Sequence, residues 1–366
     1  MMSHISLGSV ALLWVFVGYI LSFGSGNSFI GDLSFFALNN VGLTPQEGST
    51  IPHILFMAFQ MMFAIITPAI ISGALVERMK FGAYILFICL WSLIVYAPLC
   101  NWVWGGGFLA DHGALDFAGG TIVHVSTGVS ALVAALIIGP RNKKEQHANE
   151  AHNVPFVLLG AALLWFGWFG FNAGSSLAAN EIAANAFVTT TISASAALCV
   201  WAILEIFTEQ KISATAAAIG AVVGLVTITP AAGFVTPMGA IAMGALGTLS
   251  SFGAIRFLKK FKVDDTLDVF ACHGIGGIVG SILTGVFASK AVNPAGADGL
   301  LYGDTSLMVP QILSTLVGVA IAVVGTWISL KIVGILIPLR VDEKSMEFDK
   351  SVHSEKAYDN SLPSET

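Results

Sequence analysis

Ten long apolar runs, separated by short polar segments, set the pattern of this chain. They cover residues 5–24, 51–75, 81–103, 120–139, 154–172, 184–208, 212–230, 235–257, 268–288 and 308–337. Each is near the ~20 residues that a helix needs to cross the hydrocarbon core of a bilayer. The pattern therefore predicts an all-α polytopic membrane protein of ten spans. The runs at 235–257 and 268–288 are rich in Gly, Ala and Thr, as expected where membrane helices pack closely. Residues 1–340 read as the transmembrane domain. Residues 341–366 are polar and mixed in charge, and read as a cytoplasmic tail. The first run has no basic start and no small-residue cleavage site before Gly24, so it is expected to remain as a span.

Composition sharpens this picture. The chain of 366 residues is 55% hydrophobic and 10% charged, against about 25% charged in soluble domains. Most of the charges lie in loops, near the ends of the runs, and in the tail. Nothing basic is clustered enough to suggest nucleic acid. With ten spans and both termini cytoplasmic, every Lys and Arg except Lys290 falls on the cytoplasmic side. A wrong span count would scramble this parity. The expected location is the cell membrane. Cys89, Cys100, Cys199 and Cys272 lack metal-type spacing and read as small buried hydrophobes.

The fourth and ninth runs each carry a histidine inside the span, which is costly in a membrane and usually functional. The fourth reads ALDFAGGTIVHVSTGVSALVAALIIG, with His124. The ninth reads LDVFACHGIGGIVGSILTGVFA, with His273. Both show Leu-Asp ahead of the helix and then H-x-x-x-G. Asp116 precedes His124 by eight residues, and Asp268 precedes His273 by five. The two runs lie five spans apart and so cross in opposite directions. This predicts inverted-topology repeats over about 5–139 and 154–288, with an extra helix at 308–337. Such a repeat brings equivalent positions together near the midplane. Asp268 is then the repeat counterpart of Asp116.

Two imidazoles in contact share one N–H, and both cannot be charged cheaply in a dry site. They offer hydrogen bonds to a small neutral polar molecule while disfavouring a bare cation. A zinc site lacks a third and fourth ligand. Phe59 and Phe63 share a helix face at i, i+4. Trp104, Phe171 and Ser175 fall at the outer ends of their spans, beside Asp116. Ring faces attract a cation and a hydroxyl accepts its N–H, so this group reads as a cation site. Asp116 could bind the cation directly. The preferred reading is structural, as an acceptor for backbone N–H groups at a helix start.

At these residues the chain resembles the Amt ammonium transporters of the Amt/Mep/Rh superfamily. The motifs are GALVERMKF, VWGGG, DFAGGTIVH, GWFGFNAGSS-x-AANEI, TPAAGF and VDDTLDVF-x-x-HG. The resemblance runs from about Gly18 to Leu339, and Trp104 with FGFNAGS resembles the Amt branch. It implies an outer ammonium recruitment site at Trp104, Phe63 and Ser175, and a phenyl gate of Phe63 over Phe171. It further implies a twin-histidine pore at His124 and His273, with Asp116 as the required acid near the outer site. The mechanism it implies is recruitment of ammonium, deprotonation, passage of ammonia and reprotonation inside. No cofactor and no enzymatic activity are implied. Expected partners are a homotrimer, a cytoplasmic PII-type signal protein and membrane lipid. The family has eleven spans, so the resemblance implies that the usual first helix is missing here. That helix contributes to subunit packing in the family. The tail segments LRVDE and FDKSVHSEKAYD resemble the family's, with Ser354 where Gly is frequent. The competing readings are an ammonium sensor on the same fold, a membrane-embedded enzyme, and an inactive N-terminally truncated form.

Overall fold

The computed structural model describes residues 1–141, 151–261, 263–341 and 352–355. Among them nine helices are long and apolar enough to cross a membrane. These are α1 (Met2–Phe23), α2 (His53–Ala74), α3 (Phe81–Asp111), α4 (Gly120–Ile138), α5 (Val154–Ser176), α6 (Glu181–Glu209), α8 (Pro237–Lys260), α9 (Phe270–Phe287) and α10 (Met308–Leu336). The expected span at 212–230 is a shorter helix, α7 (Ala214–Ile228). It is followed by a turn whose residues 229–235 are all buried. Isolated β-bridges are the only extended pairing among the described residues.

Capping explains several boundaries. Asn153 accepts from the Phe156 N–H ahead of α5, and Asn180 from the Ala183 N–H ahead of α6. Ser213 and Thr236 do the same for α7 and α8. Pro155 and Pro237 occupy first-turn positions, where no N–H is needed. The third run is longer than expected because helix resumes up to Asp111 after a break at 104–107.

Large apolar side chains point outwards from the bundle: Phe166 is 75% exposed and Phe207 82%. On a soluble protein such exposure would be anomalous, whereas a lipid-facing surface requires it. Inside, small residues let helices touch. A Cβ on Gly128 of α4 would lie 2.0 Å from the Gly274 nitrogen of α9, so α4 and α9 meet backbone to backbone. Cys100 and Cys272 are buried as expected. Cys89 is only half-buried and Cys199 is exposed, because Cys199 lies on an outward face of α6.

Two irregular segments position the heads of α4 and α9. The segment before α4 packs on the 229–235 turn, where the Phe117 N–H donates to the Pro230 carbonyl (3.0 Å). Gln311 of α10 clasps it by accepting from the Leu115 N–H and donating to the Leu115 and Ser281 carbonyls. The segment before α9 packs on the 72–80 turn. There Arg78 pairs with Asp264 (3.1 Å) and also donates to the Asp264 carbonyl. Arg141, beyond α4, pairs with the same Asp264 and with Glu77 (3.0 Å each). Arg340, beyond α10, donates to the Ile138 and Pro140 carbonyls. The basic segments following α2, α4 and α10 thus meet at one end of the bundle.

The expected tail lies mostly outside the described residues, as do Lys143, Lys144, Lys262, Lys344, Lys350 and Lys356. Within 352–355, the His353 ring packs edge-on against Phe81 at the head of α3 (4.8 Å).

Candidate functional site

Asp116 sets up the head of α4. Its Oδ1 accepts the N–H groups of Gly119 (2.8 Å) and Gly120 (2.6 Å). Its Oδ2 accepts those of Thr121 (2.8 Å) and Ile122 (3.3 Å). These amides have no partner within the helix and would otherwise be orphaned. Burial pushes the Asp116 carboxyl above the usual carboxylate range, and the four amide donors pull it back. The Asp116 backbone serves too, since its carbonyl accepts the Trp104 indole N–H (2.7 Å). Gly119 turns the chain into α4 with φ +105°, a conformation that side chains rarely adopt.

The first turn of α4 is wide. The His124 N–H reaches back five residues to the Gly119 carbonyl (3.1 Å). A wide turn also opens α9, over Phe270–Ile275, and contains His273. Such turns are frequent at functional sites. Both histidines therefore sit just inside a helix head.

From outside inwards, the aromatic groups form a continuous column. Trp104 meets Phe63 edge to face, with ring centroids 5.3 Å apart. Phe59 also meets Phe63 (5.0 Å). Phe63 packs on Phe171 at 4.6 Å. Phe171 stacks on the His124 ring at 5.8 Å and 17°. Ser175, one turn along from Phe171, donates its hydroxyl proton to the Phe171 carbonyl (2.8 Å) and keeps its oxygen as an acceptor. At the foot of the column, His124 Nδ1 lies 3.2 Å from His273 Nδ1. One of these nitrogens donates and the other accepts. His124 is fully buried and its Nε2 has no hydrogen-bond partner among the described residues. His273 is partly buried. The structure thus brings together His124, His273, Phe63, Phe171 and Trp104, with Asp116 behind Trp104.

Asp268 departs from its expected part. It has φ +52° and engages through its backbone: its N–H donates to the Asp265 carbonyl and its carbonyl accepts the Cys272 N–H. The side chain that caps α9 is Asp265, whose Oδ2 accepts the Phe270 N–H (2.7 Å). A capping carboxylate must lie far enough ahead of the first turn to fold back onto its free amides, and Asp268 lies too close. The signal was present in the spacing, because Asp265 precedes His273 by eight residues, as Asp116 precedes His124. Trp168 was also missed. It stacks on His124 beside Phe171 at 5.5 Å and 19°, its ring 5.2 Å from that of Phe171, and its indole N–H donates to Thr229 (3.0 Å). Its position three residues before Phe171 on one helix face could have marked it. Among the described residues, no three His, Cys, Asp or Glu side chains converge as a metal-ligand set.

The model of the Ammonium Transporter Family matches residues 1–358. The chain belongs to the ammonium transporter family. An ammonium transporter of Bacillus subtilis is 48% identical over 366 residues, covering 99% of this chain and 90% of the relative. The ammonium transporter Amt1 of Archaeoglobus fulgidus is 45% identical, covering 98% and 89%. Among solved structures, Mep2 of Saccharomyces cerevisiae superimposes with a TM-score of 0.87 at 35% identity, covering 94% of this chain and 83% of that one. Family membership agrees with the long apolar helices: this is a multi-pass, all-α membrane protein.

Proposed function

We propose that this protein carries ammonium across the cell membrane through the aromatic column and histidine pair. The single observation that carries this reading is the contact of His124 with His273, 3.2 Å between Nδ1 atoms, directly beneath Phe171 and Phe63. Family membership supports the substrate, and both relatives described above are named ammonium transporters. The Arg/Lys-rich end is assigned to the cytoplasm by the positive-inside rule.

The chemistry follows from the surroundings. Trp104, fixed by its bond to the Asp116 carbonyl, offers a ring face to a cation, and Ser175 offers an acceptor oxygen. Below them the rings of Phe63 and Phe171 exclude water. A bare ion is heavily penalised there, whereas neutral ammonia passes with hydrogen bonds to imidazole. Ammonium therefore gives up a proton above the histidines and regains one at the inner end. Potassium has no proton to lose and is rejected.

The two heads that hold the histidines support an inverted repeat. Each has an Asp eight residues before its His, and each packs on a turn, the buried one at 229–235 and the partly exposed one at 72–80 respectively. A homotrimer and a cytoplasmic PII-type partner belong to this reading through the family resemblance. The test is ammonium-driven current in proteoliposomes of the purified chain. Wild type is expected to respond to ammonium and not to potassium. His124→Ala and His273→Ala are expected to lose most of the current or its selectivity. Unchanged current and selectivity in both variants would overturn the mechanism.

A further inference from the structure

The two capping carboxylates differ in one respect that bears on protons. Both oxygens of Asp116 are engaged, each by two amides. Asp265 is 8% exposed and accepts the Phe270 N–H on Oδ2, while its Oδ1 has no hydrogen-bond partner among the described residues. The adjacent Thr266 hydroxyl is likewise buried without one. A buried carboxylate oxygen without a donor is expensive, and a proton is the simplest way to relieve it.

We propose that Asp265 is the proton-carrying group at the cytoplasmic end of the pathway, handing a proton to ammonia that has passed the histidines. The proposal rests on the transport reading above. In the transfer, the carboxyl O–H bond breaks and an N–H bond forms, giving ammonium and the Asp265 carboxylate. The carboxylate then takes a proton from hydronium in cytoplasmic water and releases a water molecule. Ammonia is the stronger base, so the transfer runs towards ammonium.

Placement supports this assignment. Asp265 stands at the foot of the helix that carries His273, at the position repeat-equivalent to the acid above His124. It also lies at the basic end of the bundle, where ammonium would leave. The groups facing it are of both signs. Asp268 and the Cys272 thiol act from its own segment and α9. Arg78 acts from the 72–80 turn, with Asp264 between Arg78 and Arg141. Lys259, on α8, faces Asp268. Burial is the largest influence and pushes the Asp265 carboxyl up to about 6; the backbone N–H groups of Phe270 and Val269 pull it back, Asp268 adds to the rise and Arg78 opposes it. A group so placed changes protonation within the range of cytoplasmic conditions.

The test uses the full chain in proteoliposomes with the cytoplasmic-side pH set independently of the outer pH. Wild-type ammonium current is expected to show an inflection near pH 6 on that side. Asp265→Asn keeps an oxygen for the Phe270 amide but cannot titrate, and is expected to lose the inflection. Asp265→Glu restores it with a shifted midpoint, and Asp268→Asn retains it. A purely structural cap would lower the current at every pH and leave the inflection in place, which would overturn the proposal. Infrared difference titration gives a second readout. A protonated-carboxyl band titrating near pH 6 is expected in wild type and absent in Asp265→Asn. Its survival in that variant would also overturn the proposal. A wild type with no ammonium current would instead overturn the transport reading and the transfer step with it, while the infrared titration reports on Asp265 separately.

Discussion

At the scale of single residues, the site depends on how its polar groups are satisfied. His124 is fully buried, and its orientation is set by the Nδ1 contact with His273 and by the flat stacking of Phe171 and Trp168. Asp116 supports it from behind with four amide bonds. Asp116→Ala leaves four buried donors without an acceptor, which costs on the order of 3 kcal/mol or more. Asp116→Asn keeps one accepting oxygen and turns an NH2 towards the other donors, so an intermediate loss is expected. Thermal melting in detergent measures both, and an Asp116→Ala variant that melts with wild type would refute the capping role. The preference for Asp116 as scaffold was legible in the sequence, because an acid just ahead of a helix start has free amides to accept. Its counterpart was misplaced at Asp268. The Leu-Asp dipeptide drew the match, whereas the conserved quantity in the structure is the eight-residue spacing of Asp265.

At the scale of elements, the pair exists because α4 and α9 can touch. Gly128 and Gly274 allow their backbones to meet, and Gly277 leaves room beside the His124 Cβ. Gly128→Ala places a methyl group 2.0 Å from a backbone nitrogen that cannot move alone. The helices must then separate, and a histidine contact of 3.2 Å does not survive a shift of an ångström or more. Ammonium current is expected to fall by at least about tenfold, since an ångström of misplacement is worth up to 10²-fold at a reacting site. Gly253→Ala on α8 meets nothing within 4 Å and serves as the control. Equal currents in Gly128→Ala and wild type would show that the crossing is not what holds the pair.

At the scale of the whole molecule, the ion cluster at the basic end joins four separate segments around Asp264 and Arg340. The Arg78 side chain is fully buried and that of Asp264 is 12% exposed. Asp264→Asn leaves Arg78 buried and unpaired, with an expected loss of about 3 kcal/mol at neutral pH. Burial alone would raise the Asp264 carboxyl, but Arg141 and Arg78 hold it below the ordinary value. A depressed carboxyl adds stability above its unfolded value of 3.8 and loses it as pH falls through the folded value. Asp265 acts in the opposite sense. Its contribution is complete below 3.8 and is lost as pH rises through about 6. Melting temperature is therefore expected to drop between pH 4 and 6 in wild type, and this drop should vanish in Asp265→Asn. A drop unchanged in that variant would assign the effect elsewhere.

The sequence by itself determined the class of molecule, the runs that become spans, and the identity of the two histidines. Each of these is a one-dimensional property: run length against bilayer thickness, and a polar residue inside an apolar run. It also carried the motifs of the family. Only the tertiary structure decided that α7 stops at Ile228 and gives way to a buried turn, that Trp168 stacks over His124, and that Asp265 rather than Asp268 caps α9. These depend on which side chains reach which backbone amides once distant segments are packed. No run of residues records that distance. The same packing turned two separately expensive histidines into one contact, because glycines on α4 and α9 let the helices close on each other.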